Sequence, residues 1–427
     1  MYYKLNIYFF LICLSFAIIF FTYVFFKSEI FAEGTKHSYY LKYYIISAFL
    51  FLLSFILLFL KKKSIFAFIT ISLSAFISIY AVELFLTFKF KEPPNEKLRY
   101  IKEFRKTDPE IVPMIYLADQ MYGRNINDGI APLAGISKKE TIFCKEDGPM
   151  IRYQSDRFGF NNLNQIWDEQ DIFAITIGDS FTHGACVDTK NTIAYKLDKN
   201  KFILNLGMGG TGPLAQFATL REYLNRANPK NIIWIYYEEN DLGDLIFEKS
   251  QPILKKYLED DSFSQQLTLK QKKIDKKLLR ILHFEIDNRN NIKAKKIKNF
   301  IKLKFVRKLV FDKISNNKIL IPDDFMKIMN KARMLARDKN VGFYFVYLPE
   351  KERFIKNELN NGEFRNYHKV IKIINDLDIS LIDLNIEFKK NYKDPVVLYN
   401  QSQLHLSVLG YNKAAELIYK KINELNK

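Results

Sequence analysis

Polar residues nearly vanish from three stretches of the chain, all within the first ninety positions. Leu5 to Phe26 is uncharged between Lys4 and Lys27, and as a helix it would extend roughly 33 Å, enough to cross a bilayer. Tyr43 to Leu60 is also uncharged, and Ser64 to Phe88 holds one charge, Glu83, near its end, where it can reach the interface. The pattern predicts three transmembrane helices. The first run is too long for an ordinary signal-peptide core, and "FFKSEIFAEG" has no small-x-small cleavage site, so it is read as retained.

From residue 171 the pattern changes to apolar runs alternating with amphipathic stretches. Strands are predicted at 171–177, from Phe202 ("FILNL"), at 231–237 ("NIIWIYY"), at 341–348 ("VGFYFVYL") and at 380–384 ("SLIDL"). Helices are expected near 189–198, 213–226, 322–339 and 364–377, and from Val408 to Leu425. Continuous apolar strands alternating with helices imply an α/β fold whose parallel sheet is covered on both faces. The expected organisation is a membrane anchor over 1–90, a linker and irregular lead-in over 91–150, and an α/β domain over 151–427. The double proline of "KEPPNEKLRY" closes the third span.

Charge orients the anchor. Lys61, Lys62 and Lys63 fill the short loop between the second and third runs. The positive-inside rule keeps that loop in the cytoplasm and sends everything after residue 90 outside. Glu29 and Glu33 dilute the lysines of the 27–42 loop, as an external loop tolerates. Of three cysteines, Cys13 lies in the first run, so Cys144 and Cys186 allow at most one disulfide, and their spacing suggests no metal site. So few cysteines in an exported domain fit a bacterial inner membrane with the domain on its periplasmic side.

The net charge of +18 is concentrated. Leu254 to Lys313 holds eighteen Lys or Arg against seven Asp or Glu, interleaved with apolar residues at helical spacing, marking a basic helical insert at about 250–320. It reads either as solvated amphipathic helices or as a surface for anionic headgroups. No nucleic-acid motif is present, and an external location removes that partner.

In parallel sheets functional groups collect beyond the carboxyl ends of the strands. Here those ends read "IGDSFTHG" with Ser180, "NLGMGGTGP" with four glycines, and "EENDLGD" with Asn240; His405 stands in "QLHLSVLGY" before the last helix. A capped helix explains Asp179-Ser180 taken alone. Four such ends together supply the parts of acyl transfer: a Ser180 nucleophile, His405 as base and acid, and donors for an oxyanion. The α/β-hydrolase elbow G-x-S-x-G is disfavoured, because Thr182 replaces its last glycine.

These blocks resemble the SGNH (GDSL-type) hydrolase family. The resemblance implies a flavodoxin-like three-layer sandwich over about residues 150–427, with Ser180 and His405 catalytic. Gly210 (Gly207 as the fallback) and Asn240 would form the oxyanion hole, with neither metal nor cofactor. Glu238 stands at the glycine position of the third block, and Ser402 stands where the family commonly has an aspartate that orients the histidine. Asp394 or a backbone carbonyl would then orient His405, or the enzyme would be weakened or dead.

His183, inside the first block, is read as a packing or capping residue. His368 and His283 are read as surface residues, Trp234 as core, Asp179 as a turn stabiliser and Asp241 as a buttress for the Asn240 loop. Three functions fit: an outward-facing esterase removing an acyl group, with acetyl expected, from an envelope glycan or lipid; an O-acyltransferase served by a multi-span partner; or a degenerate glycan-binding domain.

Overall fold

The computed structural model describes the chain outside residues 1, 31–36, 91–95, 118–119, 121–128, 198–199, 290–291, 315–320, 356–365, 403 and 427. The double proline, the middle of the 27–42 loop, and Gln403 therefore lie outside the described residues. Two compact units are present: Met1–Glu92 with Ile292–Asn316, and Pro93–Asn291 with Asn317–Lys427.

The first unit holds helices Tyr2–Phe25, His37–Phe59 and Lys62–Lys89, each containing a segment long and apolar enough to cross a membrane. The second half of the basic insert, Ile292–Ile301 and Lys304–Ile314, packs against the third of them. Glu83 is fully buried there and accepts the amides of Phe305 and Val306 at 3.0 and 2.8 Å, at the start of helix Lys304–Ile314. An anion at a helix N-terminus satisfies otherwise orphaned amides. Glu83 thus meets protein donors, in place of the interface expected from its position near the span's end.

In the second unit, five parallel strands lie in the order β5-β4-β6-β7-β8: β4 Ile172–Gly178, β5 Phe202–Asn205, β6 Asn231–Tyr237, β7 Gly342–Leu348 and β8 Ser380–Asp383. By chain position that is second, first, third, fourth, fifth, the flavodoxin-like doubly wound order. Alternation along β6 explains the layers. Ile232, Trp234 and Tyr236 point into one core with helices Pro213–Ala227, Asp323–Asp338 and Asn366–Asp376. Ile233, Ile235 and Tyr237 point into the other, against Ile193–Leu197, Leu384–Asn391 and Val408–Leu425.

The first half of the basic insert belongs to this unit. Leu254, Tyr257, Leu258, Ile274, Leu278 and Ile281 are buried in the first core, so helices Pro252–Glu259 and Gln271–Arg289 are packed on one face. The lead-in forms a second, small sheet: β1 Val112–Pro113, β2 Glu140–Cys144 and β3 Ile151–Gln154, with β2 and β3 antiparallel. Its Phe143 and Tyr153 pack with Ala185 and Met208, on the turns that follow β4 and β5.

Candidate active site

The winding of the sheet reverses between β4 and β6, which opens a crevice at their carboxyl ends. Ser180 follows β4 directly and starts the one-turn helix Ser180–His183. Buried Asp179 caps that helix by accepting the Phe181 amide at 2.9 Å, the turn-stabilising role expected for it. Gly178 allows the tight exit from the strand: a Cβ there would lie 2.5 Å from the Ile235 carbonyl oxygen.

His405 comes from the loop before the last helix. Leu406 bridges Tyr399, the Asn400 amide donates to the His405 carbonyl at 2.9 Å, and Ser407 caps helix Val408–Leu425. These bonds bring its Nε2 to 2.9 Å from the Ser180 Oγ, across 225 positions of sequence. The other ring nitrogen, Nδ1, lies 2.5 Å from a carboxylate oxygen of Glu146. An ionised carboxylate only accepts, so Nδ1 carries the proton and Nε2 is left to accept from the serine hydroxyl. The second Glu146 oxygen accepts from Asn400 Nδ2 at 2.6 Å.

Glu146 went unforeseen in the sequence. It sits on the loop after β2, 259 positions from His405. Asp394, the nearest upstream acid, instead caps Pro395–Leu398 by accepting the Val396 amide at 3.1 Å. Next to Glu146, Asp147 takes the amides of Gln401 and Ser402 and the Ser402 hydroxyl. One signal could have revealed the loop. Cys144 and Cys186 are disulfide-bonded, and Cys186 follows Ser180 by six positions. Pairing the two cysteines outside the spans places residue 146 beside the serine.

The glycine turn separates Gly210 from Gly207. The Gly207 amide donates to Asn205 Oδ1 at 2.9 Å, and a Cβ on Gly207 would strike the His183 backbone. Gly209 donates to His183 Nδ1 at 3.3 Å, whereas the Gly210 amide has no acceptor among the described residues. Gly210 also holds φ +75°, the left-handed conformation that glycine takes without strain. His183 braces this turn. It is fully buried against Phe143 and Tyr153, and burial pulls it down to about 3, so it stays neutral. His283 and His368 are exposed and Trp234 is core.

Asn240 opens helix Asp241–Glu248 after β6; its Nδ2 donates to Asp244 at 3.1 Å, and it also lies against Asp179. The structure thus links Asn240 to the serine turn through Asp179. Asp241 accepts the Tyr237 amide at 3.2 Å and so fastens the Asn240 loop to its strand. Burial and the neighbouring Asp179 charge hold Asp241 well above the carboxylate range, and burial pushes Asp244 up to about 7. Glu248 is pushed up to about 8 by burial, against three helix amides, those of Gly212, Leu214 and Ala215, that pull it down. Glu238, at the family's glycine position, forms a buried ion pair with Arg353, whose Nε donates at 2.8 Å.

Cys144, Glu146, Cys186 and His405 present ligand-type atoms within 4.8 Å of one another. Joined as cystine, the sulfurs are not thiolates, the form that binds metals.

No protein-family model matches the chain, and no curated protein matches it. Among solved structures it is similar to a G-D-S-L family protein from Desulfitobacterium hafniense DCB-2 (13% identity, TM-score 0.31, covering 59% of this chain and 99% of that one). It is also similar to the acetyl xylan esterase AlAXEase (12%, TM-score 0.33, 59% and 100%). A third is TesA, at 11% identity and TM-score 0.33, with 59% and 99% covered. Likeness at this level carries no activity across, so the chemistry of this chain has to be argued from its own residues.

Proposed function

We propose that the chain is a membrane-anchored serine esterase of SGNH type that deacylates an envelope glycan or lipid carrying a small acyl group such as acetyl. The observation that carries this reading is the 2.9 Å approach of the Ser180 hydroxyl to His405 Nε2. Ser180 attacks the ester carbonyl while His405 takes its proton, then returns that proton to the leaving alcohol; water repeats the sequence on the acyl-enzyme. The Gly210 amide and the Asn240 side chain donate to the oxyanion, each worth on the order of 3 kcal/mol in the transition state. Asn240 takes that role by turning from Asp244 as the intermediate forms.

Space favours a small acyl group. A Cβ on Gly209, 3.5 Å from Ser180 Cβ, would meet Met114 and Tyr116 at 2.7 and 3.2 Å, so those side chains crowd the turn beside the nucleophile. The cystine supports a site outside the cytoplasm, since such bonds persist in oxidising compartments. That agrees with the lysine loop on the inner side of a bacterial inner membrane, and no nucleic-acid partner is proposed.

The full chain in detergent should hydrolyse p-nitrophenyl acetate, and Ser180→Ala should not. Equal rates for the two proteins would remove Ser180 as nucleophile. Product formation stimulated by a glycan acceptor, without added hydrolysis, would move the assignment to an acyltransferase working with a multi-span partner.

A further inference from the structure

We propose that Glu146 is the positioning residue for His405 and that the Cys144–Cys186 disulfide holds it in place, so that full turnover requires the cystine. The inference rests on the serine–histidine reading of the site and adds a dependence on redox state.

The loop that bears Glu146 has no regular structure, and its neighbours Lys145, Asp147, Gly148 and Pro149 are exposed. Such a segment stays put only where it is tied. One tie is Glu146 itself, on His405 and Asn400. A second is Asp147, on Gln401 and Ser402; these contacts are exposed, and exposed polar contacts are weak and screened. The covalent tie is the cystine. It starts at the last residue of β2, two positions before Glu146, and ends just past the Ser180 helix, whose following Ala185 carbonyl accepts the Tyr411 hydroxyl at 3.1 Å.

The ring it closes has a sequence separation of 42 and encloses the nucleophile. Its sulfurs lie within 4.8 Å of a Glu146 carboxylate oxygen and of a His405 ring nitrogen. The bond therefore joins the elements carrying acid and nucleophile at the place where both meet the imidazole. Both cysteines are half-buried, and a small soluble dithiol is the reductant that tests the bond. Its thiolate attacks one sulfur and breaks the S–S bond; the dithiol leaves as its own cyclic disulfide, and two electrons and two protons pass to Cys144 and Cys186.

The test uses the full chain in detergent with EDTA present, reading kcat and KM for p-nitrophenyl acetate and, separately, the rate of Ser180 capture by a fluorophosphonate. Glu146→Gln should lower kcat by about a hundred-fold or more with KM little changed. Glu146→Asp should recover part of that loss, which a residue that only holds the fold would not do. Dithiothreitol should lower wild-type kcat by about ten-fold and leave Glu146→Gln unchanged, because two losses acting through one carboxylate do not add. Cys144→Ala/Cys186→Ala should match the reduced wild type, and its circular dichroism and melting curve separate that result from unfolding.

A folded double alanine variant with wild-type kcat would overturn the proposal. So would a reductant effect of equal factor on wild type and Glu146→Gln, or a loss that appears only when EDTA is omitted, which would be metal capture by the freed thiols. A wild type that fails on the ester, yet loses phosphonate capture on reduction, would sink the esterase reading and leave this inference standing.

Discussion

The two sheets of the second unit serve one site by different means. The five-stranded sheet places Ser180 and Asn240 by backbone alone: each follows its strand within three residues, in a sheet whose register is fixed by buried residues on both faces. The small sheet supplies Glu146 from an exposed loop fastened by one covalent bond and a few polar contacts. A group set by topology can be lost only with the fold. A group set by a tether can be lost while the fold remains, and that difference decides what each substitution should do.

Ser180→Ala, on the large sheet, should give the greatest loss, about 10⁴-fold or more in kcat, measured by ester hydrolysis with the melting temperature unchanged. Asn240→Ala should follow at about 10²–10³-fold in kcat, and an unchanged kcat would remove it from the oxyanion hole. Asp147→Ala, on the small-sheet loop, should lower kcat by about five-fold or less, since an exposed polar contact is easily replaced by water. A loss there as large as that of Asn240→Ala would erase the distinction between the two regions.

The remaining expected effects are on stability, and their signs differ. Glu248, behind the large sheet's strand ends, is pushed up to about 8 and Asp244 to about 7, both above their unfolded values. The folded state then holds more protons, so this stability is complete below about pH 4 and fades as pH rises through 7 to 8. For Glu248 it is on the order of 5 kcal/mol, and melts of Glu248→Gln from pH 5 to pH 9 should show a flatter decline than wild type. On the small-sheet loop, the Ser402 hydroxyl holds Asp147 below the usual carboxylate range. Its contribution is present above about pH 4 and is lost on acidification, and Asp147→Asn melts between pH 3 and pH 6 should show that slope reduced.

What could be read in advance divides along the same line. Runs such as "NIIWIYY" announce buried parallel strands, and β6 occupies residues 231–237 as expected. Ser180 and His405 stand out as candidates in the sequence because strand ends and the start of the last helix are positions where a hydroxyl and an imidazole have few structural uses, and the structure brings the two within 2.9 Å. Glu146 was not legible. Strands β1 to β3 run two to five residues, too short to show a period, and the contact with His405 exists only in three dimensions. Asp394 was close in sequence and is spent on a local cap, a reminder that acids before short helices have work of their own. The basic insert reads as amphipathic, but periodicity names a buried face without naming its partner: Leu254, Leu258, Leu278 and Leu282 go to the α/β core, and 292–314 go to the third apolar helix.

That last pairing bears on how the chain is made. Glu83 leaves the ribosome 222 positions ahead of the Phe305 amide that receives it. During that interval the nascent third helix carries a carboxyl group whose eventual hydrogen-bond donors have not been synthesised, so other donors must serve it. If the three apolar helices enter a bilayer as they are made, the unit they belong to is not finished at that point; the late-arriving helices Ile292–Ile301 and Lys304–Ile314, from the middle of the polypeptide, complete it.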